Sequence, residues 1–434
     1  MVEEFSFGNF TSFKELNTLN MTAAKIKSKD TRLDSDNVFT NGGASFLKSK
    51  GIYGANASGK SNVVKALVAF LRIVTDSVKD DKILDKYIFP FSLSTETYDK
   101  PCFFQLIFRH EGVKYRYGFE ADSSIIHSEW LFATPGRREQ AYFIRENTQL
   151  QTINKTYFAE GEKFQSLLQN DEKNPIFRSN SLFLTTLSSF ALGKLSKALL
   201  DTITNITVIN GLGSSGMYNS SIEALDDPKQ KKLVVDFLKY ADTGIKDLNT
   251  VHIPSSINES PDTAKNEKEN KTKKIVVSIK DVYDADFNKV SDIHFAFDRQ
   301  ESEGTKKIFE LSTAILEALK EGTMLVIDEF DARFHPLITK KIVELFNSSA
   351  NVSGQLVFVT HDTNLLSSEL LRKDQIDFVE KDKYGASHLY TLVQFKGIRS
   401  TDSFENDYIR GKYGAIPYVG GINNLFKHFE NAED

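Results

Sequence analysis

A single cysteine, Cys102, serves the whole 434-residue chain, which excludes an internal disulfide and any zinc site built on cysteine ligands. Nor is there an apolar run of about 18 residues, the least that spans a bilayer as a helix, so no membrane partner is expected. The opening Met1-Val2-Glu3-Glu4-Phe5 is acidic and alternating, the reverse of a secretory leader, and a cytoplasmic setting is the expectation. Positive charge is not in excess. The formal net charge is −5, which leaves no overall basic field to attract nucleic acid, while a local basic groove stays open as a reading. No internal repeat is visible and no heptad pattern is sustained, which sets aside solenoids and long coiled coils.

What is present is ordinary for a globular chain: 40% hydrophobic and 26% charged residues, with length enough for two or three folding units. The 34 phenylalanines are read as core filling. Val2 to Phe10 alternates as a half-buried strand, and Phe46 to Tyr53 forms a second strand running into a glycine loop. Ser61 to Val78 then reads as a helix with Val64, Leu67, Val68, Leu71 and Val74 on one face. Phe103 to Phe108 and Val113 to Phe119 alternate around Glu111-Gly112, a hairpin, and Ile125 to Phe132 extends that sheet.

From about 136 the chain turns polar, with helical stretches at Glu162 to Leu168, Leu192 to Ile203 and 222–241. Pro254 to Lys274 has hardly an apolar residue and reads as a linker. Periodic structure resumes at Ile275. The expected organisation is 1–135 as one half of a core, 136–274 as a mostly helical insertion with its polar linker at 254–274, 275–395 as the second half, and 396–434 as a C-terminal cap.

The segment Gly54-Ala55-Asn56-Ala57-Ser58-Gly59-Lys60-Ser61-Asn62 fits the G-x-x-x-x-G-K-[ST] phosphate loop. Gly54 and Gly59 allow the tight turn that aims successive backbone N–H groups at phosphate oxygens. Lys60 supplies charge to the β- and γ-phosphates of ATP, the Ser61 hydroxyl can ligate Mg²⁺, and the helix that follows adds the positive end of its dipole. A glycine-rich turn before an ordinary helix is the competing reading.

Thr323 to Glu329 is an apolar run ending in two carboxylates, the pattern of a buried strand whose C-terminal end carries ligand groups. Asp328 is the second candidate Mg²⁺ ligand and Glu329 the candidate general base for an attacking water. A core strand ending in a solvated acidic turn is the alternative. One strand on, Gln355 to Val359 leads into Thr360-His361, and a histidine there can sense a γ-phosphate, although a lone histidine is more often structural. Glu301-Ser302-Glu303-Gly304-Thr305-Lys306 precedes a helix over Lys307 to Leu319. Ser302, Gly304 and Thr305 suit anion binding, or simply a helix cap. Gln105 is a candidate for a Mg²⁺-sensing glutamine by chain order alone.

With these motifs in order, the chain resembles the ABC-like AAA ATPases of bacterial anti-phage and restriction-associated loci, the relatives of RloA and AbiLii and of the ATPase subunit in PARIS-type defence. The resemblance runs over almost the full length, from Asn9-Phe10-Thr11-Ser12-Phe13-Lys14-Glu15 to Tyr408-Ile409-Arg410-Gly411-Lys412-Tyr413-Gly414-Ala415-Ile416-Pro417. It implies an α/β P-loop fold of ABC-ATPase type, a mixed central sheet with an antiparallel β lobe. It also implies ATP and Mg²⁺ as cofactors, and a dimer or larger homo-oligomer in which Ser302 to Thr305 caps the ATP on the other subunit's loop. A phage-derived trigger and a separately encoded toxic effector, such as a nuclease, are the implied partners. The 408–417 motif reads equally as a structural cap on the sheet.

Two other functions compete. A RecF- or SMC-like DNA-repair ATPase shares the core, but usually carries a long coiled coil or a basic face. An ATPase–nuclease of the OLD type needs a metal-binding domain after the core, and only about 70 residues follow His361, without a complete acidic cluster. No nuclease activity is therefore expected of this chain alone.

Overall fold

The computed structural model describes residues 1–168, 178–190, 193–211, 215–254, 272–398 and 402–417. The first part of the chain supplies β1 (Val2–Gly8), β2 (Asn17–Asn20), β3 (Val38–Asn41), β4 (Ala44–Leu47), β5 (Ser49–Tyr53), β6 (Cys102–His110), β7 (Val113–Ala121), β8 (Ile126–Thr134), β9 (Gln140–Glu146) and β10 (Gln149–Ile153). The rest supplies β11 (Thr207–Asn210), β12 (Asp247–Pro254), β13 (Thr272–Tyr283), β14 (Lys289–Ala296), β15 (Met324–Asp328), β16 (Gln355–Val359), β17 (Ile376–Lys381) and β18 (Ser387–Thr391).

Two large sheets result. One is antiparallel, in the order β10-β9-β8-β7-β6-β1-β2. The other runs β11-β15-β16-β5-β17-β18, parallel throughout except for β18 at its edge. This is the mixed α/β architecture with an antiparallel lobe that the motifs imply.

The helix Lys60–Asp76 lies between the two sheets. Its Val63, Leu67, Phe70 and Val74 share one core with Phe5, Phe7, Phe104 and Phe119 of the antiparallel sheet and Val326, Val357 and Val359 of the parallel one. Phe70 stacks on Phe119 with centroids 5.7 Å apart. The alternate residues Leu325, Ile327, Leu356 and Phe358 face the other way, onto Ile315, Ile342, Val343 and Phe346. Being covered on both faces is why β15 and β16 read as unbroken apolar runs rather than alternating ones. Gln355 ties the sheets together: its side chain accepts from the Val2 N–H at 2.8 Å and donates to the Val2 carbonyl at 3.0 Å.

The β6–β7 turn is the expected one, with Glu111 and Gly112 both at positive φ, 48° and 80°, as a two-residue hairpin requires. The region from 136 departs from the expected helical insertion. Residues 140–153 continue the antiparallel sheet as β9 and β10, and β11 extends the parallel sheet beside β15. The β11–β15 pairing is long-range, so local sequence did not reveal it, whereas β9 and β10 are successive hairpin strands after β8. Helices do follow, at Ala159–Leu168, Phe183–Ser188 and Lys194–Thr204. The helix expected within 222–241 is Pro228–Tyr240, which Asp227 caps and Pro228 opens, and a separate helix, Ser215–Ala224, precedes it. Both pack with helix Glu303–Glu321 beside the small sheet β12-β13-β14. Most of the polar linker, 255–271, and the last part of the C-terminal cap, 418–434, lie outside the described residues.

The 408–417 motif packs as a cap. Tyr408 stacks on Phe378 of β17 at 5.3 Å, and its hydroxyl donates to the Ala415 carbonyl at 3.0 Å. Tyr413 closes over the same ring at 5.6 Å.

Candidate functional site

β5 occupies the middle of the parallel sheet, between β16 and β17, and every one of its residues is buried. At its end the chain passes through Gly54 to Gly59 and enters the helix Lys60–Asp76. Gly59 sits at φ +111°, where a side chain is strained, and a Cβ there would run into the Ser387 and Ser12 hydroxyls. Ser387 Oγ donates to the Ser58 carbonyl at 2.6 Å and lies 2.8 Å from Ser12 Oγ, which accepts from Asn62 Nδ2 at 2.8 Å. A serine–asparagine network thus fixes the loop from beneath. Ser58 Oγ is buried and makes no hydrogen bond.

The parallel order β15-β16-β5 brings the acidic strand end to the loop. Ser61 Oγ donates to Asp328 Oδ1 at 3.2 Å, and the same oxygen accepts from the Glu329 N–H at 3.0 Å. Glu329 adopts φ +50°, an uncommon left-handed conformation for a non-glycine residue. Asp331, two residues on, accepts from Thr360 Oγ1 at 2.6 Å and from the His361 N–H at 3.1 Å, which sets the turn that carries the histidine.

These groups border one cleft of roughly 460 Å³, lined by Asn56 to Asn62, Asp328, Glu329, Val359, His361 and Lys381. Gly54 and Ala55 form the loop's base instead, with their carbonyls accepting from Lys60 Nζ at 2.8 and 2.9 Å. Burial pushes the Lys60 ammonium down to about 8, against the upward pull of Asp328, Asp331 and Glu329. Partial burial, followed by the Lys60 charge, holds the His361 imidazole below its ordinary value against the same carboxylates, so it is neutral at pH 7.

Ser302, Gly304 and Thr305 do not line this cleft. They open the helix Glu303–Glu321, which starts four residues earlier than expected because Ser302 Oγ accepts from the Thr305 N–H at 3.1 Å. Gln105 is also elsewhere. It lies on β6 in the antiparallel sheet, where its side chain accepts from Trp130 Nε1 at 3.1 Å and Arg116 Nη1 at 3.4 Å. Chain order placed it near the site; strand pairing takes it away.

Several neighbours were not legible in advance. Asn210 of β11 pairs with Asp328, and the Gly211 N–H donates to the Asp328 carbonyl at 2.6 Å. A side chain at Gly211 would collide with the carbonyl oxygens of Asp328 and Glu329, so glycine is what lets the two chains approach. Lys381, at the end of β17, borders the cleft from the other flank of the loop.

Oxygen donors at Ser61 and Asp328 fit a magnesium ion, which keeps several waters and takes few protein ligands. The arrangement provides an anion cradle at a helix N-terminus whose first turn carries no acidic residue, beside two carboxylates and a neutral imidazole.

A family model described as "AAA domain, putative AbiEii toxin, Type IV TA system" matches residues 51–367, well over half the chain. No curated protein matches the sequence. Among solved structures, the SMC head domain from Thermotoga maritima aligns with 90% of this chain and 98% of its own, at 10% identity and a TM-score of 0.42. The SmcHead bound to the C-winged helix domain of ScpA aligns with 90% of this chain and 97% of its own, at 14% identity and a TM-score of 0.40.

Proposed function

The chain belongs to this AAA domain family, and from that premise we propose that it binds and hydrolyses ATP as an ABC-type ATPase, and that it senses infection and controls a separately encoded toxic effector in bacterial anti-phage defence. The observation that carries the ATPase reading is the 3.2 Å bond from Ser61 to Asp328, which docks the phosphate loop on the acidic strand end with Glu329 and His361 at the same cleft. The defence setting is supported by the family description and by the resemblance of the motifs to anti-phage ATPases, of the RloA, AbiLii and PARIS kind.

In this reading the backbone N–H groups of Asn56 to Ser61 hold the phosphates, and Lys60 leaves the Gly54 and Ala55 carbonyls to meet the β- and γ-phosphates. Ser61 and Asp328 would hold magnesium, which would supply positive charge against the phosphates. Glu329 orients and deprotonates the attacking water. His361, neutral and anchored through Asp331, donates a hydrogen bond to the γ-phosphate and so distinguishes ATP from ADP. Ser302, Gly304 and Thr305, which stand apart from their own chain's cleft, close the site on a second subunit, so that ATP joins the dimer and hydrolysis releases it.

Glu329→Gln is expected to bind ATP like the parent and lose about 10²-fold or more in turnover, while Lys60→Ala loses nucleotide affinity. If both hydrolyse ATP at the parental rate, the ATPase reading is wrong. Tight, salt-steep binding of duplex DNA by the parent without any effector would favour the repair reading over defence.

A further inference from the structure

Lys381 borders the nucleotide cleft as an exposed cation and makes no hydrogen bond or ion pair among the described residues. The acids near it are engaged elsewhere. Asp382 accepts from the Tyr384 and Ala386 N–H groups of the β17–β18 turn, at 2.9 and 2.8 Å, and lies 3.6 Å from His388. Glu380 accepts from the Tyr390 hydroxyl at 3.3 Å. Lys60, the cleft's other lysine, is turned onto the carbonyls of its own loop. A lysine with no partner, beside a cradle of backbone N–H groups, is available for an anion.

Its position is fixed to the loop rather than free. Lys381 pairs with Ser387 across the hairpin, and Ser387 is the residue whose hydroxyl donates to the Ser58 carbonyl and whose N–H donates to the Ser12 carbonyl at 2.7 Å. The sheet order gives the direction. β17 flanks β5 on one side, whereas β16 and β15, with His361, Asp328 and Glu329 at their ends, lie on the other. The acidic pair and the histidine mark the γ-phosphate end of the cleft, so Lys381 approaches from the flank opposite to it. Charge points the same way. Asp328 and Glu329 outweigh Lys60 by one negative charge before magnesium and the triphosphate enter, and Lys381 offsets that excess.

We propose that Lys381 is a nucleotide-binding residue that holds the phosphates nearer the ribose, common to ADP and ATP. The proposal rests on the ATPase reading above. It assigns ground-state affinity to the β17–β18 hairpin and γ-phosphate discrimination to the far side of the loop.

The test is the affinity of the full chain for ADP and for ATP with Mg²⁺, by calorimetry, with the melting curve confirming that each variant is folded. Lys381→Ala is expected to lose about tenfold for both nucleotides, the low end for a hydrogen bond to a charged group because the site is open to water. Lys381→Arg should keep most of the affinity. Lys383→Ala, two residues along the hairpin, should keep all of it. Unchanged affinity in Lys381→Ala, a loss confined to ATP, or an equal loss in Lys383→Ala would each overturn the proposal while leaving the ATPase reading intact. A parent that binds neither nucleotide would sink both.

Discussion

Lys60 is held by two opposing demands. As the proposed phosphate ligand it must carry charge, yet burial against two carbonyls brings it down to about 8. Bound phosphate adds negative charge and raises the value again, so above pH 8 nucleotide binding must take up a proton. Apparent affinity is then expected to be flat from pH 7 to 8 and to fall above it, by up to about tenfold per pH unit. Calorimetry in two buffers of different ionisation enthalpy should show proton uptake near pH 9 and little near pH 7. A flat affinity up to pH 9.5 would count against a Lys60 that is lowered in the free protein and regains its proton on the phosphates. At this scale the loop residues were legible because their chemistry is local: a glycine for φ, a lysine for charge, a serine for a hydroxyl beside the acidic strand end. Gly211 and Ser387 were not, since nothing near either in sequence signals that it will touch Asp328 or Ser58.

The strands beside the loop explain how it is held in place. Lys50 of β5 and Asp377 of β17 form an ion pair at 2.8 Å with both side chains only 3% exposed. Burial raises the Asp377 carboxyl and the Lys50 charge offsets that in part. Removing one partner leaves a buried charge unpaired, so Asp377→Ala is expected to cost about 3–5 kcal/mol, whereas replacing the pair together with Lys50→Met and Asp377→Leu should be near neutral. Urea unfolding of the three proteins checks this, and equal losses in the single and double variants would count against it. Elements with strong local signals came out of the sequence nearly residue for residue: β16 matches its expected bounds, and the helix after the loop starts one residue early. The boundary at 136 did not: β9 and β10 are local hairpin strands that prolong the sheet past it, and β11 owes its state to β15, far along the chain.

At the scale of the whole molecule, the proposed dimer rests on Ser302 to Thr305 not lining their own chain's cleft. If each site takes its loop from one chain and its cap from another, two inactive variants should repair each other. Lys60→Ala mixed with Ser302→Arg is expected to regain activity. The mixed dimer keeps one site whose loop comes from the Ser302→Arg chain and whose cap comes from the Lys60→Ala chain. ATPase activity after mixing and re-equilibration reads this out, and no recovery in a mixture shown to exchange subunits would place the cap in its own chain.

The sequence by itself determined where the glycine loop, the acidic strand end and the histidine after β16 stand on their elements, and the α/β class, because each depends on residue type at short spacing or on the period of a single strand or helix. Tertiary structure alone decided the rest. It brought Gly211 against Asp328 and Lys381 beside the loop, and left Ser302 outside the cleft. Those placements follow from strand order, and strand order is set by pairings between segments too distant in sequence for any local pattern to record.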